Sequence, residues 1–546
     1  MKKLKAFVAA ALALTLLVGC SGGSSDAGSN GSTLVIAKEN GIESVDLLKA
    51  STGMDFEVVN AFCEGLTGID KDNKVYNALA ADYKVNEDET VYTFTLKDAK
   101  WSNGDPVTAN DFVYSWRRTA QKGEDYQYFF TDDMACIKNG NDVTAGKKKP
   151  EELGIKAIDE KTLEITLSKP TPYFLSLLAF PTSFPMNEKF VTGLEKDGKK
   201  YGDQSDMANC VLACGPFVLT NFVQDSVIEF KKNENYYDAD KIKLDGIKMN
   251  IVKNVSTSAL DFDSGNCDIT KINSSLVDKY KDGKTFNSML EGYLWFLQYN
   301  IGSKGNKYLK NANIRKAISY AVDRQDLVDN VLKDGSVAAR GFMPTSFAYD
   351  QDGKDYCDTA AKYMSTDLAK AQELFDKGLK ELGVSSINLR LLYEKTDPAN
   401  PAAEFIQSQL AKLKGLSIEM TGVDQKNSRT QKQTDRDFDI TLTRWGPDYA
   451  DPTTYLTLMT KGHYFNYGDF DNSKYDAKIK AINSETDKTK RWKLCQEAEA
   501  ILFEDDQYPV VPLFQTGGAI LIGENIEGLE VHTFGTPYIY KNVVKK

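Results

Sequence analysis

From residue 387 onward the sequence switches between two periodicities. Ile387-Asn388-Leu389-Arg390-Leu391-Leu392-Tyr393 reads as a strand, Pro401 to Leu413 as a helix, and Leu416-Ser417-Ile418-Glu419-Met420 as a second strand. That spacing favours a parallel pair joined by a right-handed crossover, which commits this half of the chain to an α/β sheet covered by helices. Upstream, Asn311 to Arg324 gathers Ile314, Ala317, Ile318 and Ala321 on one helical face. Asp367 to Leu382 does the same with Leu368, Ala371, Leu374, Phe375 and Leu379. Both faces need something flat and apolar to lie against.

The next strand-like run, Phe438 to Thr443, leads into Arg444-Trp445-Gly446-Pro447-Asp448-Tyr449-Ala450-Asp451-Pro452. A buried strand that ends in a Gly-Pro break sets a flat aromatic and a carboxylate at the carboxyl end of a sheet, where open α/β folds bind ligands. Asp448 has no nucleophile or histidine near it in sequence, which points to binding and away from catalysis. A desolvated carboxylate beside an indole suits a cationic group such as a free amine. The plainer alternative is a solvated turn, with the aspartates capping backbone groups and the Trp filling core.

The amino-terminal end carries a different signal. Met1-Lys2-Lys3-Leu4-Lys5 is a basic head, and the apolar run Ala6 to Val18 is too short to span a bilayer. Residues 1–19 are expected to be a signal peptide. Leu17-Val18-Gly19-Cys20 resembles the bacterial lipobox, whose cysteine thiol takes a diacylglyceryl group. Residues 20–32, rich in Ser, Gly, Asn and Asp, read as a flexible tether. The mature chain is therefore expected to start at Cys20 and to hang by lipid from the extracytoplasmic face of a bacterial cell membrane.

The roughly five hundred residues beyond the tether exceed what one hydrophobic core supports, so two or three domains are expected. No second apolar run approaches transmembrane length, and 41% hydrophobic residues suffice to fill the cores. The formal charge of −11, more negative still once the three leader lysines leave, disfavours a nucleic-acid partner. Of eight cysteines, seven remain beside Cys20, an odd number, and their scattered spacing forms no zinc pattern. Cys210 and Cys214 are close enough in sequence to bridge, while small buried hydrophobes are the simpler reading for most of them. His463 and His532 are the only histidines, too few for a His-rich metal site or a catalytic triad. No catalytic residue, metal or cofactor is expected.

The first half reads as strands at Leu34–Ala37, Val91–Lys97, Leu163–Leu167 and Val227–Phe230, with a helix from Phe56 to Leu66. Between the strands, Trp101-Ser102-Asn103-Gly104-Asp105-Pro106-Val107-Thr108 forms a tight turn into a helix. Thr108 caps that helix with Asp111 three residues on, and it buries Phe112, Val113 and Trp116.

The run from Ala80 to Trp116 resembles the signature of the family 5 bacterial extracellular solute-binding proteins. Further stretches match in the same order: Ala145 to Lys148, Leu163 to Pro172, Cys214 to Leu219, Asn233 to Tyr237 and Asn313 to Arg324. The resemblance implies a two-lobed, periplasmic-binding-protein-like α/β fold (class II, cluster C type) with an extra inserted domain. Lobe one would comprise 33–75, 204–293 and 516–546, the inserted domain 76–203, and lobe two 294–515. It further implies a monomer that captures short peptides in an interlobe cleft and delivers them to the permease of an ABC transporter. Within the family a Trp-x-x-Asp-Tyr segment holds the peptide, so Asp448 would pair with its α-ammonium group while Trp445 and Tyr449 line the cleft.

Some members carry a cysteine after that Trp, where this chain has Gly446. Arg444 is a candidate for a ligand carboxylate, although the arginine serving that role in relatives falls at Leu442. Glu64, within Phe62-Cys63-Glu64-Gly65-Leu66, would sit at the rim of lobe one, and Asn466 with Tyr467 would bond ligand backbone. Tyr126, Tyr128, Phe129 and Phe130 line a pocket or fill core, the latter being simpler. Asp451 is assigned to turn capping. Competing readings are the same fold holding an oligosaccharide, metal chelate or haem, and a secreted hydrolase using Asp448 and Asp451 as acid and base.

Overall fold

The computed structural model describes residues 32–546 other than 122, 124, 125, 133, 505 and 506. The expected signal segment, the Cys20 lipidation site and the tether as far as residue 31 lie outside the described residues. Among those described, no helix is long and apolar enough to cross a membrane.

One large mixed sheet runs through the α/β molecule. Its spatial order is Leu416–Val423, Ile387–Glu394, Ile440–Trp445, Phe286–Tyr299, Val510–Ile522, Ile269–Ile272, Thr33–Lys38, Gly246–Ile251, Val227–Lys232 and Phe217–Val223, and Val337–Ala338 pairs with Val510–Ile522 off this path. Two long neighbours, Phe286–Tyr299 and Val510–Ile522, run antiparallel through its middle. Their register breaks between Leu290 and Leu294. On one side Phe286–Leu290 pairs with Gly517–Leu521, and on the other Leu294–Gln298 pairs with Val510–Gln515. The first portion adjoins Ile269–Ile272, and the second adjoins Ile440–Trp445. These two strands thereby join two lobes, each with its own apolar core.

In the second lobe the anticipated crossover is present. Ile387–Glu394 pairs in parallel with Leu416–Val423, and Ala399–Leu410 connects them. Helices Ala312–Ala321 and Leu368–Leu382 bury Ile314, Ala317, Ile318, Ala371 and Phe375 in that core. Leu368, expected on the buried face, is instead exposed at the first turn, where Asp367 caps the helix by accepting from the Lys370 N–H. Helix Gly53–Phe62 starts earlier and stops earlier than the periodicity suggests. Thr52 and Asp55 form a capping box at its start, and Cys63 turns extended at its end, taking Glu64 off the helix. A separate antiparallel sheet, ordered Ala80–Val85, Val91–Leu96, Thr162–Thr166 and Ile155–Ala157, packs with the capped helix Ala109–Thr119 around Phe94, Phe112 and Trp116.

Candidate functional site

Strand Ile440–Trp445 lies between Ile387–Glu394 and Phe286–Tyr299 with its first four residues buried, so its carboxyl end is fixed from both sides. The chain then turns through Gly446, where any Cβ would come 2.5 Å from the Tyr293 ring. A Cβ at Gly292 would meet the Thr533 carbonyl and the Pro447 ring. Glycine at these two positions lets strand 286–299, the 446–448 turn and the carboxy-terminal segment converge. The Gly535 N–H donates to the Pro447 carbonyl at 2.9 Å, and the Tyr455 hydroxyl donates to the carbonyls of Gly292 (2.8 Å) and Trp445 (3.0 Å).

This convergence presents Asp448. Among the described residues no hydrogen bond reaches its carboxylate, and burial alone pushes its carboxyl up to about 7. The side chain keeps part of its surface and lines a partly open cavity. The walls of that cavity include Glu64, Tyr76, Phe180, His532 and Lys541. Burial above all, with the nearby Asp448 charge adding to it, raises the phenols of Tyr126, Tyr128, Tyr293 and Tyr455. Tyr126 and Tyr128 thus belong to the surroundings of Asp448, whereas Phe129 and Phe130 are core against Trp116. A desolvated carboxylate ringed by phenols, with no cationic partner among the described residues, is arranged to receive a cation from outside.

The other candidates divide. Glu64 lines the same cavity, but its carboxylate is already engaged, accepting from Tyr236 Oη, Tyr237 Oη and Lys541 Nζ at 2.9 Å each. It shapes the wall and holds Lys541 in place. Trp445 is half-buried, donates from Nε1 to Thr454 Oγ1 at 3.3 Å and packs its ring on Phe465. Tyr449 is buried outside the cavity lining, its ring stacked on Tyr173 at 4.2 Å and its hydroxyl paired with Thr453 Oγ1. Arg444 pairs with Glu394 at 3.1 Å and lies 4.8 Å over the Trp295 ring. Glu394 is shared with Arg429, and the two arginines hold its carboxyl below the usual range against the opposing effect of burial.

Two expectations need correction. Asn466 does not offer its amide to a ligand: Nδ2 donates to the Thr460 and Phe470 carbonyls and Oδ1 accepts from the Phe470 N–H, so the side chain is consumed in closing its own loop. Asp451 is more than a turn cap. Besides accepting from the Thr453 N–H and hydroxyl, it forms a buried bidentate ion pair with Arg491 at 2.5 and 2.8 Å. Tyr173, Tyr293, Tyr455 and Arg491 are not singled out by the sequence: Tyr173, Tyr293 and Arg491 reach the site across long chain separations, and Tyr455, seven positions after Asp448, carries no motif of its own. Among the described residues, no group of three or more His, Cys, Asp or Glu side chains is placed to hold a metal ion.

Comparison with known proteins is consistent with this architecture. The dipeptide-binding protein DppE of Bacillus subtilis is 31% identical over 98% of both chains. The oligopeptide-binding protein OppA of the same organism is 31% identical over 88% of this chain and 87% of its own. Among solved structures, Listeria monocytogenes OppA bound to peptide superposes with a TM-score of 0.82 at 38% identity, covering 95% of this chain and 99% of that one. The family model described as bacterial extracellular solute-binding proteins, family 5 (middle), matches residues 74–466. The chain belongs to the family 5 bacterial extracellular solute-binding proteins.

Proposed function

We propose that this protein captures short peptides between its lobes and hands them to the membrane subunits of an ABC importer. The observation that carries the reading is the Asp448 carboxylate, desolvated, facing a cavity and without a hydrogen-bond partner among the described residues. A peptide α-ammonium group supplies the missing charge and several hydrogen-bond donors at once. An extended peptide satisfies its remaining backbone groups along the cleft much as an added strand does, and that gives affinity with little demand on sequence. The relatives named for dipeptides and oligopeptides support the same ligand class.

In this reading lobe one comprises 33–75, 204–293 and 516–546, the inserted domain 76–203, and lobe two 294–515. The hinge is the register break of the two long strands, where the Leu290–Leu294 interval faces Gln515–Gly517. Asp448 provides the amine contact, with Glu64 in the cavity wall, Trp445 lining the cleft beyond that cavity and Tyr449 as a closing contact. Arg444 keeps a ligand-carboxylate role only if a ligand competes with Glu394 for it. The protein works outside the cytoplasm, tethered through lipid on Cys20. A hydrolase reading loses its second carboxylate, because Asp451 is neutralised and fully engaged by Arg491.

Native mass spectrometry of gently purified protein lacking residues 1–19 tests the ligand class. Dissociation requires the lobes to part, so cargo is expected to survive purification as a set of short peptides. Recovery of a sugar, a haem or a metal chelate in place of peptides would overturn the reading.

A further inference from the structure

Two cysteines far apart in sequence meet beneath the cavity wall. Cys63 ends helix Gly53–Phe62 in an extended conformation, and Cys214 leads into strand Phe217–Val223. The N–H groups of Cys214 and Gly215 both donate to the Phe62 carbonyl, at 3.0 and 2.9 Å. Gly215 lies so close that a Cβ there would come 2.8 Å from the Cys63 nitrogen, so the two backbones are held side by side. Both side chains are buried, with Cys63 Sγ 3.0 Å from Cys214 Sγ. We infer that Cys63 and Cys214 are joined by a disulfide in the exported protein.

The closure that remains is about 1 Å beyond an ordinary sulfur–sulfur bond length of ~2.05 Å, within reach of a side-chain rotation. Burial first, and the neighbouring Cys214 second, push the Cys63 thiol well up, so in the folded chain Cys63 offers little thiolate. The bond therefore forms as the chain folds, before the pair is covered. A thiolate of the pair attacks a disulfide oxidant, such as glutathione disulfide or the active-site disulfide of a thiol oxidase. The partner thiol then resolves the mixed disulfide. Two protein thiols become one disulfide while the oxidant takes up both electrons and both protons as two thiols.

The link spans 151 positions and encloses the whole of 76–203 in a covalent loop. It also fixes Glu64, the next residue after Cys63, in the cavity wall. Cys210, the pairing partner suggested by sequence proximity to Cys214, is also buried, but it is the Cys63 sulfur that Cys214 meets. The inference rests on export only for where the oxidant is met, so the test has two arms.

In one arm, reduced and denatured chain is refolded in an oxidising glutathione buffer. In the other, protein is exported by living cells and collected without reductant. Both samples are alkylated with iodoacetamide under denaturing conditions and digested without reduction. Cys210 and Cys214 share one tryptic peptide, and fragmentation tells them apart. The expected product in both arms is the Cys63–Cys214 joined peptide, lighter by two hydrogens, with Cys210 alkylated. In the refolded arm, alkyl groups on both Cys63 and Cys214, or a Cys210–Cys214 link, would overturn the inference. A link that forms on refolding but is missing from exported material would overturn its placement in the exported protein. As a second readout, reductant lowers the thermal midpoint of the oxidised protein and leaves that of the Cys63→Ala/Cys214→Ala variant unmoved. An equal reductant effect on both proteins would count against the link.

Discussion

At the scale of single residues, Asp448 and Asp451 show what a sequence discloses and what it hides. Both were visible as carboxylates in a Gly-Pro turn, and the desolvated position of Asp448 was legible from the strand that precedes it. The partner of Asp451 lies 40 positions on, in a helix with no local link to the turn, and nothing in the motif marks it. Asn466 was misread for a related reason, since a motif transfers a position without the direction in which an amide points. Asp451→Ala leaves Arg491 buried without its counter-charge, an expected cost of about 3–5 kcal/mol in denaturant unfolding. A loss below about 1 kcal/mol, the usual worth of an exposed pair, would show the pair to be solvated. Asp448 carries a pH signature of the opposite kind. The folded carboxyl holds its proton up to about 7, whereas the unfolded chain releases it near 3.8. Between those values the empty folded state binds more protons, so its stability falls as pH rises and levels off above about 7. The shift corresponds to about 4 kcal/mol at most, at roughly 1.36 kcal/mol per pKa unit. Thermal midpoints of ligand-free protein measured from pH 4 to 8 should show this decline, and Asp448→Asn should lessen its slope, leaving the share of Glu499, whose carboxyl burial also pushes up to about 7. Equal slopes in the two proteins would place the titration elsewhere.

At the scale of elements, regular periodicity was readable and irregular burial was not. Helix Leu368–Leu382 was anticipated to within a residue because its apolar spacing and Asp367 cap agree. Strand Ile440–Trp445 was anticipated two residues early, since alternation in Phe438–Thr443 does not reveal where pairing begins. The long strand Phe286–Tyr299 escaped sequence reading because its second half is buried on both faces and shows no alternation. Contacts between elements far apart in sequence were also beyond reach. Tyr173, next to the short helix Phe174–Leu177, stacks on Tyr449 with ring planes 13° apart, and Arg491 sits 5.7 Å over the same ring. Such a stack is worth about 0.5–1.5 kcal/mol beyond its burial. Tyr173→Ala is therefore expected to speed peptide release by about two- to tenfold, converted at ~1.4 kcal/mol per decade. Stopped-flow dissociation of a labelled peptide reads this directly, and an unchanged rate would show that the stack does not help hold the lobes shut.

At the scale of the molecule, two lobes with separate cores share two long strands, and the register break at residues 290–294 is the wider of the two irregularities in their pairing, the other falling between Trp295 and Phe296. Asp448 lines the cavity together with Glu64, Lys541 and the carboxy-terminal segment, and on the proposed lobe assignment it faces them across the cleft. In the proposed function, closure seals a bound amine onto a carboxylate that has no hydrogen-bond partner among the described residues. The direct test is a calorimetric cycle using one peptide with a free and an acetylated amino terminus, on the intact protein and on folded Asp448→Ala. Losing either half of a buried pair costs about 3–5 kcal/mol, or about two to four decades of affinity. The expected result is a large loss from either change alone and little further loss from the second, since both delete one contact. Equal damage from acetylation in both proteins would mean that the amine is held elsewhere, and would contradict the account.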